Sequence, residues 1–152
     1  MNVVLFLIFL AACAAAAATG MIFQPGTWYD SLKKPDWTPP RWAFPLVWTT
    51  LYVLIAIAAT RVSGLPGAEV ALALWALQIA LNTLWTPVFF GGHHIRSGLM
   101  IIGVLWLTVA AMIPAFWRLD WLAGLMLVPY IVWLSLAVAL NFWIWRNNSA
   151  AV

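Results

Sequence analysis

The chain has 152 residues, 66 % of them apolar and only 7 % charged, whereas roughly a quarter of a soluble domain is charged. This excludes an ordinary water-soluble globule and points to one membrane-embedded domain over residues 1–152. The net charge of +3 is scattered along the chain, so no nucleic-acid partner is expected. The lone Cys13 cannot close an intramolecular disulfide.

The first stretch, 3–23, carries no formal charge and is long enough, at about 1.5 Å per residue, to cross a hydrocarbon layer. Leu10-Ala11-Ala12-Cys13 resembles a lipoprotein signal, but Met1-Asn2 offers no cation and the apolar run continues past Cys13, so a first spanning helix is expected. Its alanine-rich second half and Gly20 form a small-residue face that a neighbour can approach closely. Pro25, Gly26, Pro35 and Pro39-Pro40 then interrupt the pattern and mark a first loop. Thr38 before Pro39 fits a helix N-cap with proline at the first position, which predicts a second span over 39–61 that Pro45 bends or loosens near its start.

Ser63, Gly64, Pro66 and Gly67 form a turn. A third span is predicted over 68–90 and a fourth over 97–117, with His93-His94 between them; a fifth covers 121–145. The expected fold is an all-α bundle of five transmembrane helices embedded in lipid. Lys33, Lys34, Arg41, Arg96 and Arg146 fall on one side, against Arg61 and Arg118 on the other. The excess of cations on cytoplasmic loops predicts an N-terminus outside and a C-terminus in the cytoplasm.

Polar side chains inside spans are costly unless they find partners, so they mark candidate sites. Gln78, Asn82, Trp85 and Phe89 fall on one face of the third span, and Tyr130, Trp133, Ala137 and Asn141 on one face of the fifth. Phe44, Trp48 and Tyr52 make a third stripe. Facing one another, these stripes would line an aromatic cavity with a few amides to orient a flat guest; the alternative is ordinary packing between helices. Trp117, Trp121, Trp143 and Trp145 sit at span ends, where tryptophan anchors at the headgroups.

No acid–base or nucleophilic constellation is present, so no catalytic residue is assigned. Adjacent His93 and His94 point apart and have no carboxylate or cysteine nearby, so no metal site is expected, and no resident cofactor either. Asp30 and Asp36 flank lysines and read as surface ion pairs.

The pattern Trp28-Tyr29, Lys34-Pro35, Trp37-Thr38-Pro39-Pro40, Trp48-Thr49 and Leu51-Tyr52, then Gln78, Asn82, Trp85, Pro87 and Phe89-Phe90-Gly91, then Pro129-Tyr130, Trp133 and Leu140-Asn141 resembles the TspO/translocator protein family, the tryptophan-rich sensory proteins. The likeness runs in order along nearly the whole chain. It implies a five-helix bundle, often a homodimer, that binds porphyrins and related haem-like tetrapyrroles, sterols and benzodiazepine-type compounds under the first loop. Carried over residue by residue, it places ligand contacts on Trp37, Phe44, Trp48, Asn82, Trp85, Trp133, Ala137 and Leu140, to which the stripes add Gln78. The resemblance also implies two alternatives: light- and oxygen-dependent porphyrin breakdown using pocket tryptophans, and sterol binding or transport. Against the sterol, Phe142 stands where the sterol-recognition pattern has a tyrosine.

Overall fold

A computed structural model describes residues 1–148, and every regular element within them is helical. In chain order these are α1 (Val3–Ile22), α2 (Thr27–Ser31), α3 (Ala43–Ser63), α4 (Glu69–Thr86), α5 (Ile95–Leu119), α6 (Trp121–Met126) and α7 (Val128–Asn147); α4 runs on into a π-helical turn, Pro87–Gly91. The helices α1, α3, α4 with its π turn, α5, and α6 with α7 make 5 spans long and apolar enough to cross a membrane.

Prolines explain where the elements depart from the sequence expectation. The second span begins at Ala43, not at Pro39. Thr38 donates from both its backbone N–H and its hydroxyl to the Pro35 carbonyl, at 3.1 and 2.6 Å, closing a turn instead of capping a helix. A residue before proline is pushed out of the helical region, and two successive prolines delay the start. Pro45 consequently sits in the first turn of α3, where its missing N–H has no intrahelical partner. The fifth span is not one helix. Pro129 has no N–H to donate to the Leu125 carbonyl, and the helix breaks at Leu127 between α6 and α7. Pro87 acts similarly on α4, whose ladder widens so that Gly92 N–H donates to the Pro87 carbonyl at 2.8 Å.

Around the bundle, α3 packs on α1, α1 on α4, α4 on α5 and α5 on α7, while α6 closes the ring against α3. One end is filled. Ile55, Ala56, Ala58, Ala59 and Val62 of α3 are buried with Val109, Met112 and Phe116 of α5 and Leu127. Trp75 of α4 reaches across to donate its indole N–H to the Ile55 carbonyl at 3.1 Å. At that pole Arg61 donates to the Asp120 carboxylate at 2.6 Å, and the same carboxylate caps α6 by accepting from Leu122 N–H at 3.1 Å. The opposite pole gathers the first loop, the turn around His93 and the end of α7. There the Asn148 side chain accepts from Lys33 N–H at 2.8 Å and donates to the Lys33 carbonyl at 2.9 Å. Trp28 stacks on His93 with ring centroids 4.2 Å apart, and His93 holds a left-handed φ of 58° to present its ring. Cys13 is buried in the core between helices.

Close approach of α6 to α5 depends on Gly124, where an added Cβ would lie 2.8 Å from Trp117 Cα, a backbone atom with nowhere to go. Gly124→Ala is therefore expected to lower stability by about 1–3 kcal/mol, the usual cost of overpacking. Gly103→Ala, with open space around it, serves as the neutral control in thermal unfolding in detergent. The hydrogen bond from Arg61 holds the Asp120 carboxyl below its ordinary value of 3.8, against an opposing push from burial. Because the folded value is depressed, the stabilisation is present above the unfolded pKa and is lost as pH falls through the folded one. Unfolding followed between pH 6 and pH 3 should therefore show a loss toward the acid end that Asp120→Asn reduces.

Candidate functional site

The three stripes predicted from spacing do face the interior. Tyr52, Asn82, Tyr130 and Gln78 are buried and hydrogen-bond in a row. Tyr52 donates to Asn82 Oδ1 at 3.0 Å, Asn82 Nδ2 donates to the Tyr130 hydroxyl at 2.9 Å, and Tyr130 donates to Gln78 Oε1 at 2.7 Å. The row ties α3, α4 and α7 together within the apolar spans, where each unmade bond would be expensive. It ends on Gln78 Nε2, which is buried and has no partner among the described residues. One turn further along α4, Trp85 donates its indole N–H to Asn141 Oδ1 at 3.2 Å, and Asn141 Nδ2 donates to the Ile95 carbonyl at 3.3 Å.

Because α3 makes few contacts with α4 and α5, a cavity of about 530 Å³ opens between them on the side of the first loop. That is within the range of small-molecule sites, roughly 300–1,000 Å³. Phe44, Trp48 and Tyr52 form its α3 wall, Asn82, Trp85 and Thr86 its α4 wall, and Ile102 and Leu105 its α5 wall. The remaining wall is α1, through Ala16, Ala17 and Gly20. The small-residue face expected from the sequence does receive neighbouring helices, with Ala16 buried where α1 packs on α3 and α4, and its loop end also leaves room for the cavity.

The first loop covers this space. Phe23, Gln24, Pro25, Tyr29 and Arg41 contribute to the lining. Tyr29, on the short α2, is buried and packs edge-on against Phe90, with centroids 5.4 Å apart; burial raises its phenol pKa above 10.0. The wide turn after Pro87 turns Phe89 and Phe90 toward Trp85, at 5.1 and 5.4 Å, which builds an aromatic floor beneath the loop. Asp30 is an ion-paired surface group, as expected, and its partner is Arg41. Lys34 instead turns back over the Tyr29 ring and donates to the Tyr29 and Leu32 carbonyls at 2.8 and 3.1 Å, so it closes the end of α2.

Of the residues singled out from the sequence, Phe44, Trp48, Asn82 and Trp85 line the cavity directly. Trp133 stands one layer back, edge-on to Phe44 at 5.6 Å and to Trp48 at 6.4 Å, with its buried indole N–H unpartnered among the described residues. Ala137 and Leu140 line a separate void of about 30 Å³, which shares Tyr29, Phe44, Trp85 and Phe90 with the main cavity as a common wall. Gln78 closes the polar row and is off the cavity surface. Trp37 is 47 % exposed on the outer side of the loop and does not line the space; Tyr29 occupies the covering position. Tyr29 and Arg41 escaped the stripe search because no helical spacing connects loop residues to a span.

The five spans around a loop-covered apolar cavity define a class of protein, a polytopic helical membrane protein with a cavity among its spans. The chain matches the TspO/MBR family over residues 5–146. It is 55 % identical over 152 residues to Protein CrtK of Rhodobacter capsulatus, with 97 % of this chain and 95 % of the relative covered. It is 53 % identical over 148 residues to the tryptophan-rich sensory protein of Cereibacter sphaeroides, covering 97 % and 94 %. With the translocator protein of Homo sapiens it shares 36 % identity over 126 residues, covering 80 % and 75 %. The chain belongs to the TspO/MBR family and is an integral, multi-pass membrane protein.

Tyr130→Phe removes the hydroxyl that joins Asn82 to Gln78 and leaves two buried polar atoms unpaired. It should cost about 1–3 kcal/mol. Ser135→Ala, which removes an exposed hydroxyl that accepts from the Trp106 indole at 2.9 Å and donates to the Ile131 carbonyl at 2.7 Å, should stay within about 0.5 kcal/mol in the same thermal assay.

Proposed function

We propose that this protein is a membrane receptor, transporter-like in character, that binds tetrapyrroles and other flat hydrophobic molecules in the cavity beneath the first loop. Membership of the TspO/MBR family supports the receptor-like role in a membrane. The observation that carries the ligand reading is the 530 Å³ space itself, walled by Phe44, Trp48 and Trp85, with the amide of Asn82 at its inner end. Indole and phenyl faces stack on a planar π-system, and the amide orients it. Trp133, Ala137 and Leu140 back this wall. Rotation of Phe44 and Trp85, which separate the small void from the cavity, would join the two and bring Ala137 and Leu140 to the guest. Gln78 acts through the polar row, and Trp37 at the outer rim of the loop.

The cation distribution between the poles supports an N-terminus outside and a C-terminus in the cytoplasm. Ala76 and Ala80 are exposed one turn apart on α4 and offer the face for a homodimer. Sterol binding is the weaker reading: Phe142 replaces the tyrosine of the sterol pattern and points outward, 46 % exposed. A second reading, light- and oxygen-dependent breakdown of bound porphyrin, is favoured by the Trp48–Trp133 pair beside the cavity, where electron-rich indoles would be the redox participants. Illuminated protein that yields only the products formed in protein-free detergent would exclude it.

Titration of the purified protein with protoporphyrin should quench tryptophan emission saturably. Trp48→Ala is expected to weaken binding about tenfold, as loss of one stacking platform implies. Trp121→Phe, 60 % exposed at the far pole, should leave it unchanged. Quenching that is linear in porphyrin, or equal in the two variants, would overturn the assignment.

A further inference from the structure

Among the described residues that line the cavity, Arg41 is the one that carries a charge. It lies two residues before α3, at the loop end of the cavity and away from the inner end where Asn82 and Tyr52 are committed to each other. A cation at the rim of an otherwise apolar space costs little when empty, because its guanidinium still reaches water: the side chain is 54 % exposed. It has a large effect on which guests are accepted. The guanidinium is a planar fork of five donors, matched to a carboxylate in two parallel hydrogen bonds. Its described partner is the Asp30 carboxylate, engaged through one nitrogen. Neither lysine of the loop lines the cavity. Lys34 is held by the carbonyls that end α2, and the Lys33 backbone is clasped by Asn148.

We propose that the cavity selects guests with a carboxylate at one edge of a flat apolar body, and that Arg41 binds this carboxylate in exchange for Asp30. The inference rests on the tetrapyrrole reading and names the chemical feature of the guest that this chain recognises. Asp30 belongs to α2 in the cover and Arg41 to the entrance of α3, so their pair fastens the cover across the mouth. An arriving carboxylate takes the guanidinium and frees Asp30. Asp30 is thus an internal competitor, and the exposed pair it forms is weak enough to be displaced. The apolar body lies inward against Trp48 and Trp85, and the charged edge stays at the water-facing rim, which spares the carboxylate a transfer into hydrocarbon.

The test compares protoporphyrin with its dimethyl ester, which keeps the ring and removes both charges, on the full-length protein in one detergent. The micelle's own preference for the ester is common to all variants and cancels when acid-to-ester affinity ratios are compared. Arg41→Gln is expected to lower that ratio about tenfold while ester affinity stays within about twofold of the parent, which also shows that the variant is folded. Arg41→Lys should keep part of the preference, and Asp30→Asn should raise acid affinity about threefold without changing that of the ester. An acid-to-ester ratio unchanged in Arg41→Gln, or equal losses for both ligands, overturns the inference and leaves tetrapyrrole binding standing. Absence of saturable binding by either form in the parent protein overturns the tetrapyrrole reading and this inference with it.

Discussion

Tyr52, Asn82, Tyr130 and Gln78 carry hydrogen-bonding groups into spans that offer no water to pair with, and the bundle is arranged so that they meet. Satisfying them fixes the rotation of three helices at once, since α3, α4 and α7 each contribute at least one member. A helix turned by one residue would present a polar atom to lipid or to alkyl side chains. Interhelical hydrogen bonds of this kind add only modest stability, about 0.6–2 kcal/mol each. Their larger effect is to set register. Once register is set, Phe44, Trp48 and Trp85 are carried to the same side of the row, because they lie on the same stripes one or two turns away.

The cavity results from unequal packing along the bundle. At the Arg61–Asp120 pole, small side chains of α3 let α1 and α6 close tightly, and Trp75 and Phe116 fill what is left. Toward the loop, α3 leaves α4 and α5, and the alanines of α1 are too short to fill the gap. Prolines complete the arrangement. Pro87 widens the end of α4 so that Phe89 and Phe90 turn inward, and Gly98 on α5 allows Phe89 to approach to where a Cβ would be 2.9 Å away. The contacts that hold the covering loop include Trp28 on His93 and Phe89, Tyr29 on Phe90, Lys33 on Asn148 and Asp30 on Arg41. Only the last is a contact between two charged, largely exposed side chains, which makes it the natural point of exchange with a charged guest.

A membrane bundle stores little of its information in the contrast between apolar and polar faces, because nearly every face is apolar. What remains informative is the rare side chain that breaks the rule. Gln78, Asn82 and Asn141 stood out for that reason and are buried and hydrogen-bonded through their side chains. Their stripe partners Trp85, Phe89 and Tyr130 turned inward with them. Trp37 was placed at the site by the resemblance alone, in a loop without periodicity to orient it, and it faces outward.

The sequence by itself determined the five spans, the grouping of the first loop, third loop and chain end at one pole, and the inward stripes of the second, third and fifth spans. Each follows from local rules: span length from apolar runs, alternation of sides from span number, and facing direction from helical spacing. Tertiary structure alone decided that α1 supplies a cavity wall, that Ala137 and Leu140 fall in a separate void, that Tyr29 and not Trp37 covers the space, and that Asp30 pairs with Arg41. These depend on how far apart helices stand and how a proline-rich loop returns across them. Both are set by the summed packing of residues distant in the chain, and no local spacing encodes them.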